Sequence, residues 1–128
     1  MNYYFQKTVS KPFDDIVLKV SENLKKEGFG IITTIDLKKT FSEKLNNNYK
    51  KYIILGACNP SFAHQALSLE KYIGLMLPCN VVIREIEDNL TDVSSIDPLE
   101  MMKGIGNPEL NIIVQIIQKK LKEVIMKL

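Results

Sequence analysis

Three times the chain sets an amide or carboxylate side chain directly before a proline: Asn59-Pro60, Asp97-Pro98 and Asn107-Pro108. Such a side chain accepts hydrogen bonds from the helix-start amides that have no intrahelical acceptor. Proline suits the first turn, where no amide hydrogen is needed. Each pair therefore predicts the start of a helical segment, and together they cut the chain into short elements.

The runs between these starts fill in the order. Asn2 to Val9 reads as a strand. Ser10 is a candidate cap with Pro12 in the first turn, and Phe13, Ile16, Val17, Val20 and Leu24 then fall on one helical stripe that faces a core. Gly28 ends that helix, as a residue at ease with positive φ. Phe29 to Asp36 alternates, with Phe29, Ile31, Thr33 and Ile35 on one face. Lys38 to Leu45 is a short helical segment and Tyr52 to Cys58 a third strand. A helix capped by Asn59 runs to about Glu70. Leu75 to Ile86, after a turn at Gly74, is the most apolar strand, and its two apolar faces mark it as interior. Asp88-Asn89 turns the chain back through Leu90 to Ile96, and Asp97-Pro98 opens a short turn through Met101 and Met102.

The last helix follows Asn107-Pro108-Glu109, with Leu110, Ile113, Val114, Ile117, Leu121, Val124, Ile125 and Leu128 on a single stripe. Ile112 and Ile116 lie outside the stripe and ask for a second cover, either a partner subunit or the Met101-Met102 turn. The order is β-α-β-β-α-β-β-α with a short helix after the second strand. The fold class is α+β, a single mostly antiparallel sheet packed by helices, and residues 1–128 form one domain.

Composition narrows function mainly by exclusion. Seventeen basic and 15 acidic residues leave a net charge of +2, so nothing in the charge balance calls for nucleic acid or an anionic membrane. The lysine pairs at 38–39, 50–51 and 119–120 read as solvated surface. The longest apolar stretch, Ile73 to Ile83, contains a proline and an asparagine and falls well short of the roughly 20 residues of a membrane helix. The first residues do not form a basic leader before an apolar segment, so the expected location is a reducing cytoplasm. Free thiols are expected there in place of a structural disulfide.

The two cysteines, Cys58 and Cys79, are each followed by an asparagine. Cys58 precedes the Asn59 cap, where helix-start amides and the helix dipole favour an anion and so the thiolate. It is the candidate nucleophile, redox group or soft metal ligand. Both cysteines also fit as small buried hydrophobes. Cys79 shares a face with Leu75, Leu77, Val81 and Ile83 in the predicted strand, and neighbouring third and fourth strands would bring the two sulfurs close. The single histidine, His64, points away from the apolar face of its helix and reads as exposed; Glu70 and Asp97 are acidic neighbours without a motif. Gly104-Ile105-Gly106 reads as a loop before a capped helix, since no strand leads into it and no Lys-Ser or Lys-Thr pair follows. A zinc site from this chain alone is not expected with two cysteines 21 residues apart and one histidine.

The segments Tyr52-Ile53-Ile54-Leu55-Gly56-Ala57-Cys58-Asn59-Pro60, Ala63-His64-Gln65-Ala66-Leu67 and Ile73-Gly74-Leu75-Met76-Leu77-Pro78-Cys79-Asn80-Val81-Val82 resemble the family called domain of unknown function 302. Glu27-Gly28-Phe29-Gly30-Ile31, Asp97-Pro98 and Gly106-Asn107-Pro108 share the likeness, which covers nearly the whole chain. The resemblance implies a β-α-β4-α layout similar to half of the TATA-binding protein, and a homodimer. It implies no activity and no DNA binding. It places Cys58, Asn59, Cys79 and Asn80 together as site candidates.

Three functions are compatible with these residues. The first is a dimeric module that binds a small molecule, a metal or a haem near Cys58 and Cys79, with Cys58 as the coordinating group and Asn80 orienting a polar group of the ligand. The second is an enzyme that uses Cys58 as nucleophile or redox centre. The third is an interaction protein whose cysteines only pack.

Overall fold

The computed structural model describes residues 2–128. Strands β1 (Tyr4–Val9), β2 (Gly30–Asp36), β3 (Tyr52–Cys58), β4 (Cys79–Glu87) and β5 (Leu90–Ile96) form one sheet in the order β1-β5-β4-β3-β2, antiparallel throughout. From β2 to β5 the sheet is a meander. Helix α1 (Phe13–Lys26) carries the chain from the β1 edge to the far β2 edge, so it must cross one face of the sheet. Helix α5 (Asn111–Met126) lies beside it on that face.

The core is the layer between these two helices and the sheet. Ile16, Val20 and Leu24 of α1 and Leu121, Val124 and Ile125 of α5 meet Leu55, Val81, Ile83 and Val93 of the three central strands. The predicted stripes are these buried faces. The buried Asn23 amide donates to the Val124 carbonyl (3.2 Å), so the polar group that α1 takes into the core is satisfied by α5. Helix α1 ends as expected at Gly28 (φ +85°), with Gly28 N donating to Lys25 O and Phe29 N to Leu24 O, the paired bonds that satisfy a helix's last carbonyls.

Helix α3 (Pro60–Leu69) and the short α4 (Pro98–Met102) lie at the end of the sheet where β3 finishes and β4 begins, around a smaller cluster of Ala66, Ile73, Leu110 and Val114. All three cap-proline pairs function as caps: Asn59, Asp97 and Asn107 accept from Phe62 N, Leu99 N and Glu109 N. Asn107 opens a single 3-10 turn, and the α-helix proper starts at Asn111.

The structure differs from the sequence reading at several local points. Ser10 does not cap α1; Pro12 occupies the cap position without a side-chain bond. The fourth strand begins at Cys79 and not at Leu75, because Pro78 has no amide hydrogen for the ladder. Ile73–Met76 is a 3-10 turn that leaves Leu75 85% exposed, so Leu75 does not share the buried face of Cys79 and Val81. A bulge at Ile32 breaks the alternation of β2. Ile31 stays beside Ala57 on the helical side, whereas Thr33 and Ile35 move to the side of Gly56 and Ile54. Helix α2 (Leu37–Leu45) is capped by Asp36, a role the sequence reading did not assign.

Candidate functional site

The strand-to-helix corner at Cys58-Asn59 is fixed by three residues. β3 hands over to α3 at Asn59, whose Oδ1 accepts from Phe62 N at 3.4 Å. Asn59 Nδ2 lies 3.1 Å from the point where a β-carbon on residue 28 would stand. Gly28 is thus required twice, for its positive φ and for the room it leaves Asn59. Two residues before Cys58 on β3, a β-carbon on Gly56 would run into Thr33 Oγ1 and Pro78 Cγ, so the absence of a side chain lets β2 and the start of β4 close on β3.

β3 and β4 are neighbours, with Ala57 directly opposite Cys79. Cys58 and Cys79, both free thiols, line one cavity of about 50 Å³ together with Asn59, Phe29 and Phe62. The rest of its wall is almost entirely apolar, from α3, α4, α5 and the Ile73 turn, and includes Met102. Cys58 is half-buried at the rim, whereas Cys79 is buried. Burial pushes the Cys79 thiol up to about 11, and negative charge on Cys58 acts in the same direction, so the two sulfurs sense each other. Cys79 is therefore a neutral thiol at physiological pH.

Asn80 stands elsewhere. It follows Cys79 in an extended strand, so its side chain emerges on the opposite, helix-free face, and it is exposed. The structure brings Cys58, Asn59 and Cys79 together and sets Asn80 apart. His64 is exposed on α3 and does not reach the cavity. Glu70 accepts from Asn107 Nδ2 at 3.3 Å and ties α3 to the loop before α5. Asp97 is buried as the α4 cap and also accepts from Gln118 Nε2 at 3.1 Å. Among the described residues, no three His, Cys, Asp or Glu side chains gather as a metal site.

A model of the family described as "Domain of unknown function DUF302" matches residues 5–128. The chain belongs to the DUF302 family. The match contains both cysteine-asparagine segments and every residue of the cavity. Among solved structures, the chain is similar to an uncharacterized conserved DUF302 protein from Bacillus stearothermophilus, with 25% identity and a TM-score of 0.90 over 99% of this chain and 98% of that one. No curated protein matches the chain. DUF302 membership accounts for the fold and assigns no chemistry, which resides in the side chains of a site.

The helix-free face carries a second polar grouping, which the sequence reading missed. Across it run two rows of directly opposed residues, Thr8, Asp92, Arg84 and Tyr52, and Gln6, Ser94, Val82 and Ile54, with the pairs Tyr4–Ile96 and Asn80–Gly56 at the next level. Asp92 is buried on this open face, because Gln6 Nε2, Thr8 Oγ1 and Arg84 Nε all donate to it, Arg84 at 2.8 Å. The signal available in the sequence was that Arg84 is the chain's only arginine and that Asp92 mirrors it across the Asp88-Asn89 turn.

Proposed function

We propose that this DUF302 chain is a small dimeric binding module whose site is the cavity between Cys58 and Cys79, and that its ligand is a soft, thiophilic metal ion. The observation that supports this reading is that both cysteines line one small, largely apolar cavity, with Cys58 close enough for its charge to act on the Cys79 thiol. Its volume of about 50 Å³ is far below the roughly 300–1,000 Å³ of pockets that enclose drug-sized ligands. That size favours a single ion over a haem or a metabolite. Two sulfurs suit a monovalent soft ion such as Cu(I), and among the described residues no third His, Cys, Asp or Glu joins them toward a tetrahedral zinc site. Cys58, at the rim and at the start of α3, meets the ion first. Cys79 must lose its proton to join, so affinity rises with pH. The enzyme reading is weaker, because among the described residues no histidine or carboxylate lines the cavity to serve as a base for Cys58.

The dimer rests on a different observation. From Gly30 to Lys50, across β2 and α2, not one residue is buried, although Ile31, Ile32, Ile35, Leu45 and Tyr49 lie there. A nine-residue helix is below the ~12–15 residues at which an isolated helix becomes marginal in water. β2 is also an open sheet edge. A second copy would cover it by pairing antiparallel along this edge, and the arm supplies about the 20–30 residues a side of a standard interface.

The site is tested by anaerobic titration of the reduced protein with Cu(I) against a competing chelator, read by native mass spectrometry. One ion per chain, lost in both Cys58→Ala and Cys79→Ala, is the expected result. Failure of the wild-type chain to compete, or retention of the ion by Cys58→Ala, overturns the reading and leaves the cysteines as packing residues.

A further inference from the structure

The thiol cavity and the helix-free face lie on opposite sides of the sheet, so a site on the second is independent of the proposal above. We infer that the open face is a binding groove for a small organic oxyanion, a carboxylate or a phosphate ester with a flat apolar body, and that Arg84 is its anion anchor.

Four observations converge. First, the groove is ligand-sized, about 490 Å³, and is lined by Tyr4, Gln6, Tyr52, Asn80, Arg84 and Ser94 among others. Second, Arg84 is built into it. Its Nε is held at 2.8 Å by Asp92, a carboxylate that is itself buried and fixed by Gln6 and Thr8. The terminal Nη groups have no acceptor among the described residues, and the side chain is 49% exposed. A guanidinium oriented through Nε presents its remaining donors as a fork, the geometry that matches a carboxylate or phosphate. Third, the only carboxylate in the lining, Asp92, is buried and already engaged by Gln6, Thr8 and Arg84 Nε, so the charged group left facing a ligand is the outer end of the Arg84 guanidinium. Fourth, the rows give the groove a shape. Ser94 and Val82 are small and form a low floor between the Arg84–Tyr52 row and the level of Tyr4 and Asn80. At ~3.3 Å per strand residue those two levels stand about 13 Å apart. A molecule of that length puts its anionic head on Arg84, its flat body over Ser94 and Val82 between the tyrosines, and its far end at Asn80.

Because the chain has a single arginine, its Nε–Hε resonance in a nitrogen–proton correlation spectrum reports this site alone. The probes are benzoate and phenyl phosphate, with neutral benzamide as control. The expected result is a saturable shift of that resonance and of the Ser94 and Asn80 amides with either anion, at affinities around 1 mM or better, and none with benzamide. Arg84→Lys keeps the charge but loses the fork, and is expected to weaken binding about tenfold or more. Should Arg84→Lys perturb the fold by disturbing Asp92, Ser94→Phe fills the floor and leaves the Arg84–Asp92 pair intact; it should abolish the shifts in a chain whose spectrum is otherwise native. Equal response to benzamide, absence of saturation with both anions, or unchanged binding by Ser94→Phe overturns the inference. So do shifts of these residues that follow protein dilution and ignore the anions, which would mean that a second copy covers the face.

Discussion

Gly28 and Asn59 compete for one small volume: the Asn59 amide nitrogen sits 3.1 Å from where a β-carbon on residue 28 would be. The turn that ends α1 and the cap that starts α3 are thus a single unit. Gly28→Ala must accept both a left-handed backbone (φ +85°) and a displaced Asn59. We expect it to destabilise the protein by about 1–3 kcal/mol, measured by urea denaturation. Asn59→Ala, which removes only the cap, should lose about 1 kcal/mol. If the two positions are coupled as described, the losses in the double variant will sum to less than those of the single ones.

The difference in burial between the thiols predicts an order of reaction. In native protein at neutral pH, iodoacetamide should modify Cys58 and spare Cys79, which becomes reactive only on unfolding. Intact mass and peptide mapping check this. Equal labelling of both in the native state would contradict the buried position of Cys79.

The same burial gives a pH dependence with a definite sign. The Cys79 thiol moves from an ordinary value of 9.0 to about 11 on folding, so between these values the folded chain holds a proton that the unfolded chain has released. The contribution is complete below pH 9 and falls away as pH rises toward 11, by about 2–3 kcal/mol in all. Denaturation midpoints of wild type and Cys79→Ala, followed over that interval, should converge: the variant is less stable at neutral pH and lacks this part of the slope.

The bare arm predicts the effect of charge on assembly. Ile32→Lys places a cation on the free edge of β2 at a side chain that is exposed within one chain. It should convert a dimer to a folded monomer, read by light scattering coupled to size exclusion, with the circular dichroism of the monomer unchanged. A wild-type chain that is already monomeric at high concentration would contradict the dimer.

Much of the architecture was legible because it is written in local chemistry. The cap-proline pairs at 59–60, 97–98 and 107–108 act through neighbouring amides, and the stripes of α1 and α5 repeat at the helical period, so both were visible without tertiary information. The errors arose where a distant partner decides. The bulge at Ile32 depends on how β2 registers with Ala57 and Gly56, and no pattern within β2 announces it. The early start given to β4 followed apolarity across Pro78, where the missing amide hydrogen was the better guide. The family resemblance grouped Asn80 with Cys79, and the pleat of β4 sets their side chains on opposite faces. The Arg84–Asp92 pair went unread for another reason: the Asp88-Asn89 turn was expected, but the register that sets the two residues face to face was not carried through to their side chains.

Cys79 and Asn80 are consecutive residues of β4 that serve opposite sides of the sheet. The strand therefore acts as a shared partition wall, and its alignment with β3 is a condition of both sides at once. A slip of one residue would turn the sulfur out to solvent and drive the amide into hydrocarbon, dismantling the cavity and the groove in the same step. Gly56, wedged between Thr33 and Pro78, is the latch that holds this alignment, so a methyl group added there should disturb the packing on either side of the sheet.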